Sequence, residues 1–110
     1  MNMFPHTMTI YRYDGETYSK QVIDDVYWHE VIGVNQASHG VSQSKSVQVT
    51  TSPDRTKTYG VEWDCKPEDR IILGNGEDIT TFKGLNGYTV LSIAFNTPLG
   101  NVDNIVITGA

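Results

Sequence analysis

Val, Ile and Thr supply 32 of the 110 residues, whereas Leu and Ala supply 7. That ratio constrains the fold more than any single motif does. Side chains branched at Cβ lose rotamer freedom in a helix and pack well on a pleated surface. Ten glycines, spread along the whole chain, add many turns and leave little room for a long helix. The expected fold is all-β: a small single-domain β-barrel or sandwich over residues 1–110, with about eight short strands.

Composition also limits what such a domain can do. Eight basic against thirteen acidic residues give a formal charge of -5, a poor basis for gripping nucleic acid by neutralising phosphates. No apolar run approaches the roughly 20 residues of a membrane-spanning helix. The opening residues lack the basic-then-apolar pattern of a secretory signal. The single Cys65 excludes an internal disulfide and a Cys-rich zinc site.

Strand and turn signals alternate along the chain. Thr7–Tyr13 reads as a strand with Met8, Ile10 and Arg12 on one face, and Thr9, Tyr11 and Tyr13 on the other. Asp14-Gly15 marks a tight hairpin turn, since Gly takes positive φ without steric cost. Thr17–Ile23 returns, Asp24-Asp25 breaks it with a bulge, and Val26–Ile32 continues with Trp28 as a core anchor. Gly33–Ser46 is rich in Asn, Gln, Ser and Gly and holds no acidic residue, so it reads as a long polar loop. Val47–Thr51 resumes a strand, Ser52-Pro53-Asp54 turns, and Tyr59–Asp64 places Tyr59, Val61 and Trp63 on one face. Lys66-Pro67-Glu68-Asp69 suits a turn, with Pro setting φ and Asp bonding its local backbone. Arg70–Leu73 follows, and Asn75-Gly76 signals a hairpin to Asp78–Phe82. Tyr88–Phe95 is the expected central strand. Asp103–Gly109 closes the fold with Ile105 and Ile107 inward.

None of these segments carries a recognisable catalytic pattern. His6, His29 and His39 lie on unrelated segments, without the short spacing of metal-ligand pairs. Adjacent carboxylates such as Asp24-Asp25, Glu68-Asp69 and Glu77-Asp78 point to opposite faces of a strand and make no acid/base dyad by themselves. The glycine-rich stretches lack the Lys-Ser/Thr and the helix of a phosphate loop. Cys65 has no base near it in sequence, so it reads as structural. The expectation is no enzyme, no cofactor and no metal.

Taken together, four segments carry a resemblance. They are Phe4-Pro5-His6-Thr7-Met8-Thr9-Ile10-Tyr11, Val26-Tyr27-Trp28, Lys66-Pro67-Glu68-Asp69-Arg70-Ile71-Ile72 and Val102-Asp103-Asn104-Ile105-Val106-Ile107, with the polar stretch after the second. In this order the chain resembles the small head–tail joining proteins of tailed bacteriophages and prophages. Within that group the order of segments is similar to that of the head-closure (stopper) proteins of siphophages and their "minor capsid" relatives. The resemblance implies a β-barrel assembling as a homo-oligomeric ring, a hexamer in the particle, even where the isolated chain is a monomer. The ring would sit between portal or adaptor and tail in the virion, after assembly in the bacterial cytoplasm. Double-stranded DNA would pass through it without specific binding, and no membrane is involved.

In stopper proteins a segment after the early strands projects into the channel and helps retain packaged DNA. The matching stretch here is Gly33–Ser46, with Gly33 and Gly40 as hinges and with His39 and Lys45 as its only basic side chains. Ring closure needs heterologous contacts between different patches on neighbouring subunits. Tyr11, Tyr13, Tyr18 and Tyr27, placed opposite the core side, are the interface candidates. An alternative reading is a stand-alone β-domain that binds a saccharide or peptide through surface Tyr and Trp.

Overall fold

In the computed structural model, residues 5–37, 40–52, 63–96 and 104–110 are described. Met8 and Ile10 point inward from the first strand and are fully buried, as their alternation requires. The same logic sets Ile23 and Val26, then Val47 and Val49, then Ile105 and Ile107 into one continuous core. Trp28, 7% exposed, joins that core as expected, and so does Trp63.

Six strands carry these residues: β1 His6–Tyr13, β2 Tyr18–Ala37, β3 Gly40–Thr51, β4 Arg70–Leu73, β5 Tyr88–Asn96 and β6 Asn104–Gly109. They close into an antiparallel barrel in the order β1-β2-β3-β6-β5-β4, with β4 returning to β1. Closure joins β4 to both β1 and β5, the latter over the two pairs Arg70↔Thr89 and Ile71↔Tyr88. The described residues contain no helix, and therefore none long and apolar enough to cross a membrane.

Several local readings hold. The β1–β2 connection runs over Asp14–Thr17, with Gly15 at φ 104° and Asp14 accepting from the backbone N–H groups of Glu16 and Thr17. The ladder between β1 and β2 shifts register between His6↔Val26 and Met8↔Ile23, which places an extra residue at Asp24-Asp25. Asp25 there has φ 58°. This bulge bends β2 without ending it. At Lys66–Asp69 the Asp69 N–H donates to the Lys66 carbonyl at 3.1 Å, and the Asp69 carboxylate accepts from the Lys66 N–H at 2.9 Å.

Other readings are corrected. Gly33–Ser46 is not a loop: its described residues continue β2 and β3, paired from Val26↔Thr51 out to Ala37↔Gly40. Backbone pairing alone suffices to extend a hairpin, and it needs no polar/apolar alternation to show in the sequence. That merger is one reason the described strands number six where about eight short ones are expected. The Asn75-Gly76 signal does not open a hairpin to Asp78–Phe82 either. Residues 74–87 form an irregular crossing from β4 to β5, because β4 already has β1 and β5 as its two neighbours. Within β5 a register shift between Val90 and Ser92 changes the inward phase from Val90 to Ile93, leaving Leu91 57% exposed. The Ser52-Pro53-Asp54 turn and the Tyr59–Val61 stretch fall wholly or partly outside the described residues.

One end of the barrel is closed by the non-strand segment at residues 63–69. Trp63 and Cys65 enter the core from it. Gln21 makes two hydrogen bonds to the backbone of Asp64, and Glu68 and Asp69 pair with the backbone of Val90. Arg12 sits on the inward face with Met8 and Ile10, and is answered by Asp69. Its Nε and Nη2 donate to the two carboxylate oxygens at 3.0 and 2.8 Å, and Nη1 reaches Asp64 at 3.4 Å. The hydrogen-bonded Asp69 carboxylate holds the guanidinium charged, above its ordinary range, against the opposing effect of burial.

Candidate functional site: the projecting hairpin and the aromatic faces

The hairpin is the feature that the barrel positions. β1 accompanies β2 only as far as His6↔Val26, and β6 accompanies β3 only as far as Gly109↔Val47. Beyond these points β2 and β3 pair with each other and, among the described residues, with no other strand. The stretch from Val31↔Ser46 to Ala37↔Gly40 is about 20 Å long at strand rise. The radius of gyration is 15.3 Å, against roughly 13 Å for a compact chain near this length.

The base of this arm is anchored through Trp28. Its indole Nε1 donates to Glu30 Oε1 at 3.0 Å, and its ring meets Tyr88 edge-on with centroids 5.9 Å apart. Burial, with the Glu30 carboxylate as a second cause, raises the Tyr88 hydroxyl above its ordinary pKa and keeps it neutral. Glu30, Lys45, Gly87 and Tyr88 contribute to a polar cleft of about 370 Å³ beside the arm.

The hairpin residues singled out by sequence fall as follows. Gly33 pairs with Ser44 within the ladder, and Gly40 pairs with Ala37 at its outer end. Lys45 is exposed at the base, opposite Ile32. His39 lies outside the described residues.

The four tyrosines separate into three environments. Tyr11, expected on an exposed face, is 1% exposed. Its face of β1 is outside the barrel, but residues 74–78 cross over it. Tyr11 donates to the Glu77 carbonyl at 2.6 Å, Thr9 donates to the Gly74 carbonyl, and Gly76 N–H donates to Thr9. Gly76 is required by this approach, because a Cβ there would collide with the Tyr11 hydroxyl. Burial raises the Tyr11 pKa and keeps the hydroxyl a donor.

Tyr13 and Tyr18 stack at 4.5 Å, and Phe82 meets Tyr18 edge-on at 5.0 Å. The Arg70 guanidinium lies 5.0 Å from the Phe82 ring centre. Tyr27 is 44% exposed on the outer face of β2, between His6 and His29. Tyr13, Tyr18 and Tyr27 therefore remain available for contact, on two separate faces, whereas Tyr11 is structural.

Two features escaped the sequence reading. Phe82, from a loop that sequence assigned to a strand, and Arg70, at the start of β4, complete the Tyr13–Tyr18 face. Arg12 gave a usable signal: a charged side chain in phase with Met8 and Ile10 requires a buried partner. Its identity, Asp69, depended on the barrel closing. Among the described residues no group of three His, Cys, Asp or Glu is placed to hold a metal ion. Cys65 is buried in the core, and both indoles are buried as well. Neither Trp28 nor Trp63 is an exposed platform, so the exposed aromatics open to the saccharide- or peptide-binding alternative include Tyr13 and Tyr27.

Fold and arm together define a class: a small closed antiparallel barrel carrying one long β-hairpin beyond its wall. Residues 3–110 match the family of unknown function DUF6751, and the chain belongs to that family. No curated protein and no solved structure matches it.

Proposed function

We propose that this protein is a structural component of a phage neck. In this reading it forms a ring, hexameric in the particle, between portal or adaptor and tail. The ring continues the DNA channel, and its hairpins help to retain packaged DNA. The observation that supports this reading is the arm itself. It arises from the segment that the stopper resemblance assigns to the channel, and it extends past the wall of an otherwise closed barrel.

Charge agrees with a lumen that must let DNA pass. Gly33–Ser46 has no acidic residue and only His39 and Lys45 as basic ones, so it neither repels DNA strongly nor grips it. The -5 of each subunit, repeated around a ring, discourages adhesion within a screening length of about 8–10 Å. The two aromatic faces, Tyr13–Tyr18–Phe82 and His6–Tyr27–His29, supply the two different patches that ring closure demands.

The test is assembly with the portal and adaptor proteins of the phage that, on this reading, encodes the chain. The protein should join that complex as a closed ring seen by electron microscopy. Tyr27→Ala should weaken ring formation while the isolated barrel keeps its melting temperature. Failure of the native protein to join any portal–adaptor complex would sink the reading.

A further inference from the structure

The place where the arm leaves the barrel is held by a side chain where a backbone rung would be expected. The β1–β2 ladder ends at His6↔Val26. The next β2 amide directed toward β1 is that of Trp28, and it donates to Nδ1 of the His6 imidazole at 3.1 Å. Immediately before it lie the Asp24-Asp25 bulge and the left-handed Asp25, φ 58°. Beyond it β2 has no partner on that side among the described residues. Among the described residues the His6 ring therefore makes the last bond between β1 and the arm, next to an irregular point in the strand.

An amide N–H can donate to Nδ1 only while that nitrogen keeps its lone pair, which places the proton of the neutral ring on Nε2. Protonation puts hydrogens on both nitrogens. The Trp28 N–H then faces an N–H, and the bond is lost. His6 is half-buried, so protons from solvent reach it. We infer that His6 is a pH-operated latch: its neutral imidazole closes the final rung, and its imidazolium opens it and loosens the base of the arm. The inference concerns the chain itself and holds whatever the barrel assembles with.

Other ionisable side chains stand near the ring on the packed strands. From β2 come Asp24, which accepts from Thr7, then Asp25, Tyr27 at 5.9 Å between ring centres, and His29 stacked on Tyr27 at 6.2 Å. The β3 residue across from Val26 is Thr51, and the β4 residue across from Met8 is Leu73; neither titrates.

Amide hydrogen exchange at Trp28, corrected for the intrinsic rate, tests the latch from about pH 8 to about pH 5, the range where imidazoles change charge. In the native protein, protection should fall by about tenfold on acidification, the worth of one ordinary hydrogen bond. In His6→Asn the amide oxygen takes the place of Nδ1 and does not titrate, so protection should stay level. His29→Gln should keep the native fall. Equal behaviour of the native protein and His6→Asn, or loss of the fall in His29→Gln, overturns the latch. A second reading needs no variant: the ¹⁵N shifts of His6 at high pH must show the proton on Nε2. A proton on Nδ1 overturns the proposal outright.

Discussion

The two ends of β2 live under opposite rules. At its start, Gln21 binds the 63–69 segment twice, and that segment is locked again by Arg12–Asp69 and by the backbone of Val90. At its far end the strand has β3 and, among the described residues, nothing else. A two-stranded ribbon is marginal in water, whereas a closed sheet around an apolar core is not. One strand thus carries, among the described residues, both a part tied down from several sides and a part supported by a single partner strand. Stability is concentrated where the chain closes on itself, and what extends beyond is left for contact or movement.

The comparison breaks if the closed end tolerates damage. Asp69→Ala removes the partner of Arg12 and the acceptor for Lys66 N–H. The loss should be about 3 kcal/mol by urea unfolding, at the low end for a broken buried pair because Arg12 keeps a quarter of its surface exposed. Gly76→Ala forces a methyl group against the Tyr11 hydroxyl beneath the crossing loop. It should cost about 2 kcal/mol, the usual penalty of overpacking, and should free the Tyr11 hydroxyl from Glu77 in tyrosine absorbance titration.

Smaller effects sharpen the contrast. Backbone N–H groups of Thr17 and Glu16 hold the Asp14 carboxyl below the ordinary carboxylate range. A carboxyl whose pKa is lower when folded stabilises at neutral pH, and loses that effect as pH falls through the folded value. Asp14→Ala should therefore melt slightly below the native protein near pH 7, with the gap closing in acid. At the arm, deleting Val34-Asn35 together with Ser42-Gln43 removes two residues from each strand and keeps the facing of the rest. Barrel stability should then change by no more than about 0.5 kcal/mol. On the proposed neck reading, the same deletion should speed the loss of DNA from filled heads. An unfolded barrel would show instead that arm and wall form one cooperative unit.

Much of the barrel was legible in the residues, for specific reasons. Met8, Ile10, Ile105 and Ile107 alternate because one face of each strand must leave water, and that period survives in any one-faced strand. Asp14-Gly15, Asp24-Asp25 and Lys66–Asp69 announced themselves through local backbone chemistry, which needs no distant partner. Gly33–Ser46 misled because its strands are defined by pairing alone. Tyr11 misled because the outer face of β1 is buried by a loop some 65 residues further along, joined through Gly76 and Glu77.

What the sequence determined by itself was the class of fold, the turns at Asp14-Gly15 and Lys66–Asp69, and the apolar face of most strands. These follow from rotamer freedom, backbone conformation and the aversion of apolar side chains to water, all readable over a few residues. Tertiary structure alone decided that Arg12 meets Asp69, that Tyr11 is covered while Tyr27 is not, and that a polar stretch stands out from the barrel as a paired arm. Each of those outcomes depends on which distant backbone arrives alongside, and closure of the sheet is the event that settles it.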